Sequence, residues 1–323
     1  MLSRVASSIY WMSRYVERVE NLARFVDVTL NFILDQPQGA AEPWRPLVYA
    51  TGDEKWFAEH YDAATQDNVI EFLAFDPRYP GSIVSSLQWA RENARGIREA
   101  ISSEMWEQLN SFYYRVMEES LHRRFPGGLM EFFQELRQAS HLFEGITSAS
   151  LTRNEGWHFA ALGRFLERAD KTSRILDVKY FALAPTARDK NAVLDDLQWS
   201  SVLRSVSALE MYRKQRKRIT PAKVVEFLLL DEEFPRAIRY CVNEAAESLD
   251  RITAISPDHQ NSAAQKAMAE LKADLDSVNV EALLDKGLHK FIDQLQVKMN
   301  NVGGAIYETF FAVRPEEEAV GSK

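Results

Sequence analysis

One helical stretch occurs twice in this chain, and the letters that repeat are charges rather than leucines. Residues 15–28 read YVERVENLARFVDV and residues 165–178 read FLERADKTSRILDV, so Glu17, Arg18, Arg24, Asp27 and Val28 return as Glu167, Arg168, Arg174, Asp177 and Val178. Elsewhere like replaces like: Tyr15 by Phe165, Val16 by Leu166 and Glu20 by Asp170. Just upstream, Arg14 is matched by Arg164 and Ser13 by another small residue, Gly163. A core requires apolar side chains at the helical period, but it does not require the same acids and bases at the same places. Charges repeated at this fidelity point to a site or a clasp shared by two like helices.

The spacing arranges those charges. At 3.6 residues per turn, Trp11, Met12, Tyr15, Val19, Leu22, Ala23 and Val26 make a broad apolar face, while Glu17, Glu20, Arg24 and Asp27 fall within an arc of about 80°. Glu20 precedes Arg24 by four residues, the favourable order for a helical ion pair, and Asp170 with Arg174 repeats it. Arg18 and Arg168 project about 100° round from their glutamates.

Helical periodicity runs almost end to end and no alternating strand pattern interrupts it, so the fold class is all-α. Helices are expected over 3–34, 69–75, 82–101, 103–124, 129–150, 155–184, 222–230, 235–255, 258–277 and 280–313. Ser82 and Thr220 serve as N-caps, Pro221 sits in a first turn, and Ser102 or Ser103 caps the fourth helix. A second pair of stretches is also similar. VIEFLAFDPRYPGSI at 69–83 matches VVEFLLLDEEFPRAI at 224–238 in 7 of 15 positions, and Leu129, Phe132, Leu136 and Gly145 align with Leu288, Phe291, Leu295 and Gly304. The offsets drift from 150 through 155 to 159, as small loop insertions would make them. The expected architecture is a helical bundle of two tandem copies of one helical unit, residues 1–150 and 151–313, pseudo-twofold related and sharing one core, with an acidic tail at 314–323. If the charged helices face each other across such an axis, Glu17 is expected near Arg174 and Arg24 near Glu167.

Composition narrows the function. A net charge of −8 argues against a general binder of nucleic acid or of anionic membranes. No apolar run reaches the roughly 18 residues of a membrane span, and MLSRVASSIYW lacks a signal-peptide core, so a cytoplasmic location is expected. A single cysteine, Cys241, rules out an internal disulfide. There is no phosphate-binding Gly-rich loop and no Gly-x-Ser-x-Gly elbow, and no cofactor is expected. Glu119 with His122 and Glu155 with His158 have Glu-x-x-His spacing, but they lie at helix ends, where di-metal bundles do not place that motif; no metal is expected. The basic run at 213–218 reads first as a complement to a helix C-terminus. Arg91, Glu92, Asn93, Arg95, Arg98 and Glu99 read as a solvated helix face.

The doubled Glu-Arg pair, the turn from Asp76 to Ser82, ARENARGIREAISSEMWEQLN at 90–110 and EGWHFAALGRFLERAD at 155–170 resemble the Alpha-E domain family of bacterial proteins. The turn departs from the expected pattern, with Tyr79 and Gly81 where an Asn-Pro-Ser-Ser style sequence would stand, and no site is assigned to it. The resemblance implies partnership with a circularly permuted ATP-grasp protein and a transglutaminase-like protein, in a system that makes or processes peptide or amide bonds. It supplies no catalytic residues. Only Glu17, Arg18, Glu167 and Arg168 carry over.

Two readings of the stripes follow. In one, Arg14, Glu17, Arg18, Glu20, Arg24, Asp27, Arg164, Glu167, Arg168, Asp170, Arg174 and Asp177 are an ion-pair network that fixes how two helices cross, the commoner role of such clusters. The chain is then a non-catalytic accessory or scaffold protein for an ATP-grasp-type peptide ligase. In the other, Arg14, Arg18, Arg164, Arg168 and Arg174 hold a carboxylate or phosphate and Glu17 and Glu167 act as base or amine anchor, making the chain an enzyme acting on a peptide or amino-acid carboxylate.

Overall fold

The computed structural model describes residues 1–34, 44–122, 125, 127–182, 192–216, 218–255 and 259–312. The expected acidic tail at 314–323 lies outside the described residues, as does Lys217 of the basic run. Among the described residues there is no strand. The helices are α1 (Ser3–Leu34), α2 (Arg45–Thr51), α3 (Glu54–His60), α4 (Gln66–Ile70), α5 (Ile83–Arg95), α6 (Ser103–His122), α7 (Leu129–Ser150) and α8 (Glu155–Ala182). They continue with α9 (Ala192–Ser205), α10 (Leu209–Gln215), α11 (Pro221–Leu230), α12 (Ile238–Ile255), α13 (Ala263–Asp276), α14 (Val280–Lys286) and α15 (Leu288–Ile306). Two π-helical turns, Glu71–Phe75 and Tyr307–Phe311, extend α4 and α15.

Local chemistry sets most boundaries. Ser82 Oγ accepts from the Ser85 amide at 3.2 Å and Thr220 Oγ1 from the Lys223 amide at 3.4 Å, so both expected caps form. Ser102, rather than Ser103, caps α6 by accepting from the Met105 amide. Each such cap satisfies an amide that the helix leaves without a partner, worth about 1 kcal/mol. Four expected helices are shorter or divided, among them the one expected over 258–277, which spans Ala263–Asp276 behind the cap at Ser262. The one from Ser82 stops at Arg95, where Gly96 opens a run of tight turns through Ala100. The one expected from Pro235 starts at Ile238, because Asp231 Oδ1 accepts from the Glu233 and Phe234 amides and holds a turn there. The long helix expected over 280–313 is cut at Gly287, whose φ of 115° side chains avoid.

Helices α1 and α8 run through the middle. Helix α1 packs against α5 and α7, and α8 packs against α12 and α15; α2 lies on α8, and α9 lies on both α1 and α8. Buried apolar side chains from Val5 to Phe311 form one connected cluster around them. Trp199 is buried in it, and Trp106 and Trp157 are packed against it. No helix of the described residues is long and apolar enough to cross a membrane.

Candidate functional site

The two charged helices meet side by side and in the same direction. Contacts advance together along both: Gly156 lies against Ile9, Gly163 against Tyr10, Glu167 against Arg14 and Arg168 against Glu17. Gly163 makes the approach possible, since a Cβ there would sit 2.4 Å from the Tyr10 carbonyl oxygen. At this crossing the Glu-Arg pairs interlock. Arg168 Nε and Nη2 donate to Glu17 Oε1 and Oε2, each at 2.8 Å. Arg18 Nε and Nη2 donate to Glu167 Oε1 and Oε2 at 2.7 and 3.1 Å. Both are two-pronged guanidinium–carboxylate pairs, the strong form of a charged hydrogen bond. The expected pairings of Glu17 with Arg174 and of Arg24 with Glu167 do not occur. With the helices level and running the same way, residues seven apart are displaced by about 10 Å along the axis, beyond ion-pair reach. The arginine next to each glutamate takes that place.

On one side of the crossing the motif charges are sealed in, with His141 and Glu144 at the exposed edge. Arg236, from the turn before α12, puts Nη1 3.4 Å from Glu17 Oε1 and Nη2 2.8 Å from Glu20 Oε2, and donates to Asn21 Oδ1 at 3.1 Å. Asn21 donates in turn to Glu17. Arg24 pairs with Glu20 and donates to Ser207 Oγ; His141 Nε2 is 3.2 Å from Glu20. Asp27 is held by Arg137 and Asn31. Glu144 on α7 spans Arg164 at 3.0 Å and Arg168 at 3.1 Å. Burial alone raises a carboxyl pKa, yet the Arg168 and Arg236 charges and the hydrogen bonds bring Glu17 down to about 2. Burial, then Arg24 and Arg236, lower the pKa of His141. The space left beside Glu17, Glu20, His141, Glu144 and Arg164 is about 30 Å³, room for a single water.

The other side is open. A cleft of about 600 Å³ is bounded by α1, α8, the end of α2 and the turn at 78–81. Five cations line it, Arg14, Arg18, Arg78, Lys171 and Arg174, against three anions, Asp53, Glu167 and Asp170. Glu167 is fully buried behind Arg14, Arg18 and Lys171 and held well below the usual carboxylate range: burial opposes this, and those three cations outweigh it. Lys171 also reaches Asp170 at 3.1 Å, and Arg174 Nε donates to Asp170 at 2.9 Å. Arg174 Nη1 continues to the Thr51 carbonyl, lying against Gly52, whose φ of 75° ends α2. Tyr79 donates to Asp53 at 2.6 Å, and Arg78 and Tyr61 both donate to buried Asp76. Trp56 and half-exposed Trp89 supply aromatic surface.

The structure thus divides the twelve residues singled out by sequence. Arg14, Arg18, Glu167, Asp170 and Arg174 line the cleft; Glu17, Glu20, Arg24, Arg164 and Arg168 lie on the sealed side, with Asp27 one turn beyond. Asp177 stands apart, 2.6 Å from His289 on α15. Sequence reasoning missed Lys171 on α8 itself and, from other elements, Arg137, His141 and Glu144 on α7, Arg236, and the Asp53 and Arg78–Gly81 loops. A signal existed for Lys171, which stands between motif positions, and for the 78–81 turn, which belongs to a repeated stretch. None marked α7. Arg91 belongs to neither side; it stacks over Trp106, Tyr113 and Tyr114. Among the described residues no cluster of three or more His, Cys, Asp or Glu is placed to hold a metal ion. Cys241 is buried and its thiol pushed up to about 12 by that burial.

Three comparisons bear on these features. The model of the Alpha-E family, described as a predicted alpha-helical domain with a conserved ER motif, matches residues 1–311. An uncharacterized protein of Mycobacterium bovis and two of Mycobacterium tuberculosis are each 25% identical over 258 residues, covering 73% of this chain. The chain spans 28% of the length of these relatives. No solved structure matches.

Proposed function

We propose that this chain, which belongs to the Alpha-E family, is a non-catalytic helical accessory protein that works with an ATP-grasp-type peptide ligase and presents a peptide in the cleft between α1 and α8. The observation that carries this reading is the state of the motif glutamates. A general base needs a free lone pair and a pKa near the working pH. Glu17 and Glu167 are buried, each is clasped by more than one cation, and both are depressed far below neutrality. The only cysteine is a buried thiol. The Glu-Arg pairs therefore serve as a clasp, and the cationic cleft beside them serves as the binding surface.

The clasp makes physical sense if the chain is two copies of one unit about a pseudo-twofold axis between α1 and α8. Two features support that reading: α5 and α7 stand to α1 as α12 and α15 stand to α8, and Arg24 reaches Ser207 as Arg174 reaches Gly52, residues 155 apart that both have positive φ. The resemblance supplies the ligase and a transglutaminase-like protein as partners. An ATP-consuming partner places the work in the cytoplasm. In the mycobacterial relatives a region like this chain is 28% of a longer polypeptide, an arrangement suited to a module that acts beside others.

Affinity purification of the tagged chain from its own cells at low salt tests this, with mass spectrometry of what comes with it. An ATP-grasp protein in stoichiometric yield, and no turnover by the isolated chain, is the expected result. No ligase in the eluate, or turnover by the isolated chain that Glu17→Gln abolishes without moving the melting temperature, would overturn it.

A further inference from the structure

The sealed side and the open side of the crossing correspond residue by residue, and the differences between them say what the cleft lacks. The offset of 150 carries Arg164 and Arg168 onto Arg14 and Arg18. The offset of 159, which aligns Leu136 with Leu295 and Gly145 with Gly304, carries His141 onto Asn300 and Glu144 onto Gly303. The structure agrees with both: Asn300 lines the cleft as His141 lines the small cavity, and a Cβ on Gly303 would come 3.8 Å from Arg14 Nη1. The offset of 155 carries Arg236 onto Gly81, another cleft residue. On the sealed side Glu144 and Arg236 fill the space; on the open side two glycines stand in their places.

The hydrogen-bond pattern records the same omission. Arg168 Nη2 donates to Glu17 and also to Glu144, using both of its hydrogens. Arg18 Nη2 donates to Glu167 at 3.1 Å and, among the described residues, to nothing else. The lost cation at Gly81 is made good by Lys171, whose ammonium lies between Glu167 and Asp170. No acid replaces Glu144.

We infer that the cleft is a carboxylate-binding site in which a ligand's carboxylate bridges Arg14 and Arg18, as Glu144 bridges Arg164 and Arg168. The inference deepens the reading of this cleft as a peptide site and rests on the two-unit architecture proposed above. The ligand is a peptide or amino acid presenting either its terminal carboxylate or a side-chain one. Asp53 and Asp170 bound the same space, and Trp56 and Trp89 offer apolar contact to the rest of the ligand.

The vacancy can be filled from within. Gly303→Glu returns the missing acid to its place, and a side chain there meets only ordinary contact; Gly303→Gln matches it in size and helix propensity without the charge. At pH 7 the glutamate variant is expected to melt above both the glutamine variant and the parent. Calorimetric titration uses three probes: acetyl-Ala-Ala with a free C-terminus, its amide, and acetyl-Glu amide. Binding of the first marks a terminal-carboxylate site and binding of the third a side-chain site. The amide is expected not to bind, and Gly303→Glu or Arg14→Gln is expected to weaken binding about tenfold or more. A glutamate variant no more stable than the glutamine one, no binding of either acid at millimolar concentration, or equal binding of acid and amide would overturn the inference. Failure of a ligase to co-purify would sink the accessory reading and leave these measurements standing.

Discussion

Glu17 and Arg168 face each other across the α1–α8 crossing, with both carboxylate oxygens accepting from Nε and Nη2 of the guanidinium at 2.8 Å. The pair is buried, so each charge depends on the other for what water would otherwise supply. Removing one partner leaves a buried charge without its two-pronged contact and with only the weaker neighbours Glu144 or Arg236, which costs about 3 to 5 kcal/mol. Glu17→Gln, and Glu167→Gln on the opposite pair, should each lower the melting temperature by on the order of 10 °C. Arg168→Lys should lower it too, since an ammonium cannot make the two-pronged contact. Differential scanning calorimetry of the three variants checks this; melts within a degree or two of the parent would mean that the clasp bears little of the stability.

The same pairs dictate how stability responds to acid. Glu17 titrates near 4.5 when unfolded and about 2 when folded, so the folded state binds the proton less readily. Its contribution is complete above the unfolded value and is lost as pH falls from about 4.5 towards 2, worth about 3 kcal/mol by linkage. Glu167 and Asp170, also depressed, act with the same sign. Melting temperature should therefore fall steeply below pH 5, and Glu17→Gln should show a shallower decline. A parallel pH profile for the two proteins would contradict the assignment.

The helical class, the extent of α1 and the caps at Ser82 and Thr220 were legible because they rest on local rules: periodicity, side-chain oxygens ahead of apolar runs, and proline in a first turn. What was not legible is long-range. Nothing in α7 singles out Arg137, His141 and Glu144, which matter only because α7 packs on α1 opposite the charged arc. The partners of Glu17 and Glu167 depended on the relative direction of two helices, which a one-dimensional pattern does not encode. In the sequence Gly163 is only a small residue matching Ser13, and its close approach to Tyr10, which aligns the helices level, is visible in three dimensions alone.

That approach makes Gly163 the most sensitive small residue at the crossing. A methyl group 2.4 Å from the Tyr10 carbonyl oxygen meets backbone and not a flexible side chain, so α1 or α8 must shift. Overpacking of this kind costs about 1 to 3 kcal/mol even though alanine favours the helix. Gly163→Ala should lower the denaturation midpoint in urea, while Gly145→Ala on α7, where a Cβ meets nothing within 4 Å, should raise it slightly. Reversal of that order would show that the helices are not held at this distance.

Gly52 combines two effects that a cycle of variants can separate. Its φ of 75° is one that an alanine adopts at a cost of about 1 kcal/mol, and a Cβ there would lie 2.3 Å from Arg174 Nη1. The first cost is local and persists whatever residue 174 is. The second exists only while the Arg174 guanidinium lies against the turn, bonded to the Thr51 carbonyl and to Asp170. Gly52→Ala should therefore destabilise the parent by more than it destabilises Arg174→Gln, with the difference, about 1 kcal/mol or more, measuring the contact. Chemical denaturation of the four proteins gives this coupling directly. Equal effects in both backgrounds would place Arg174 away from the end of α2 and remove it from the wall of the cleft.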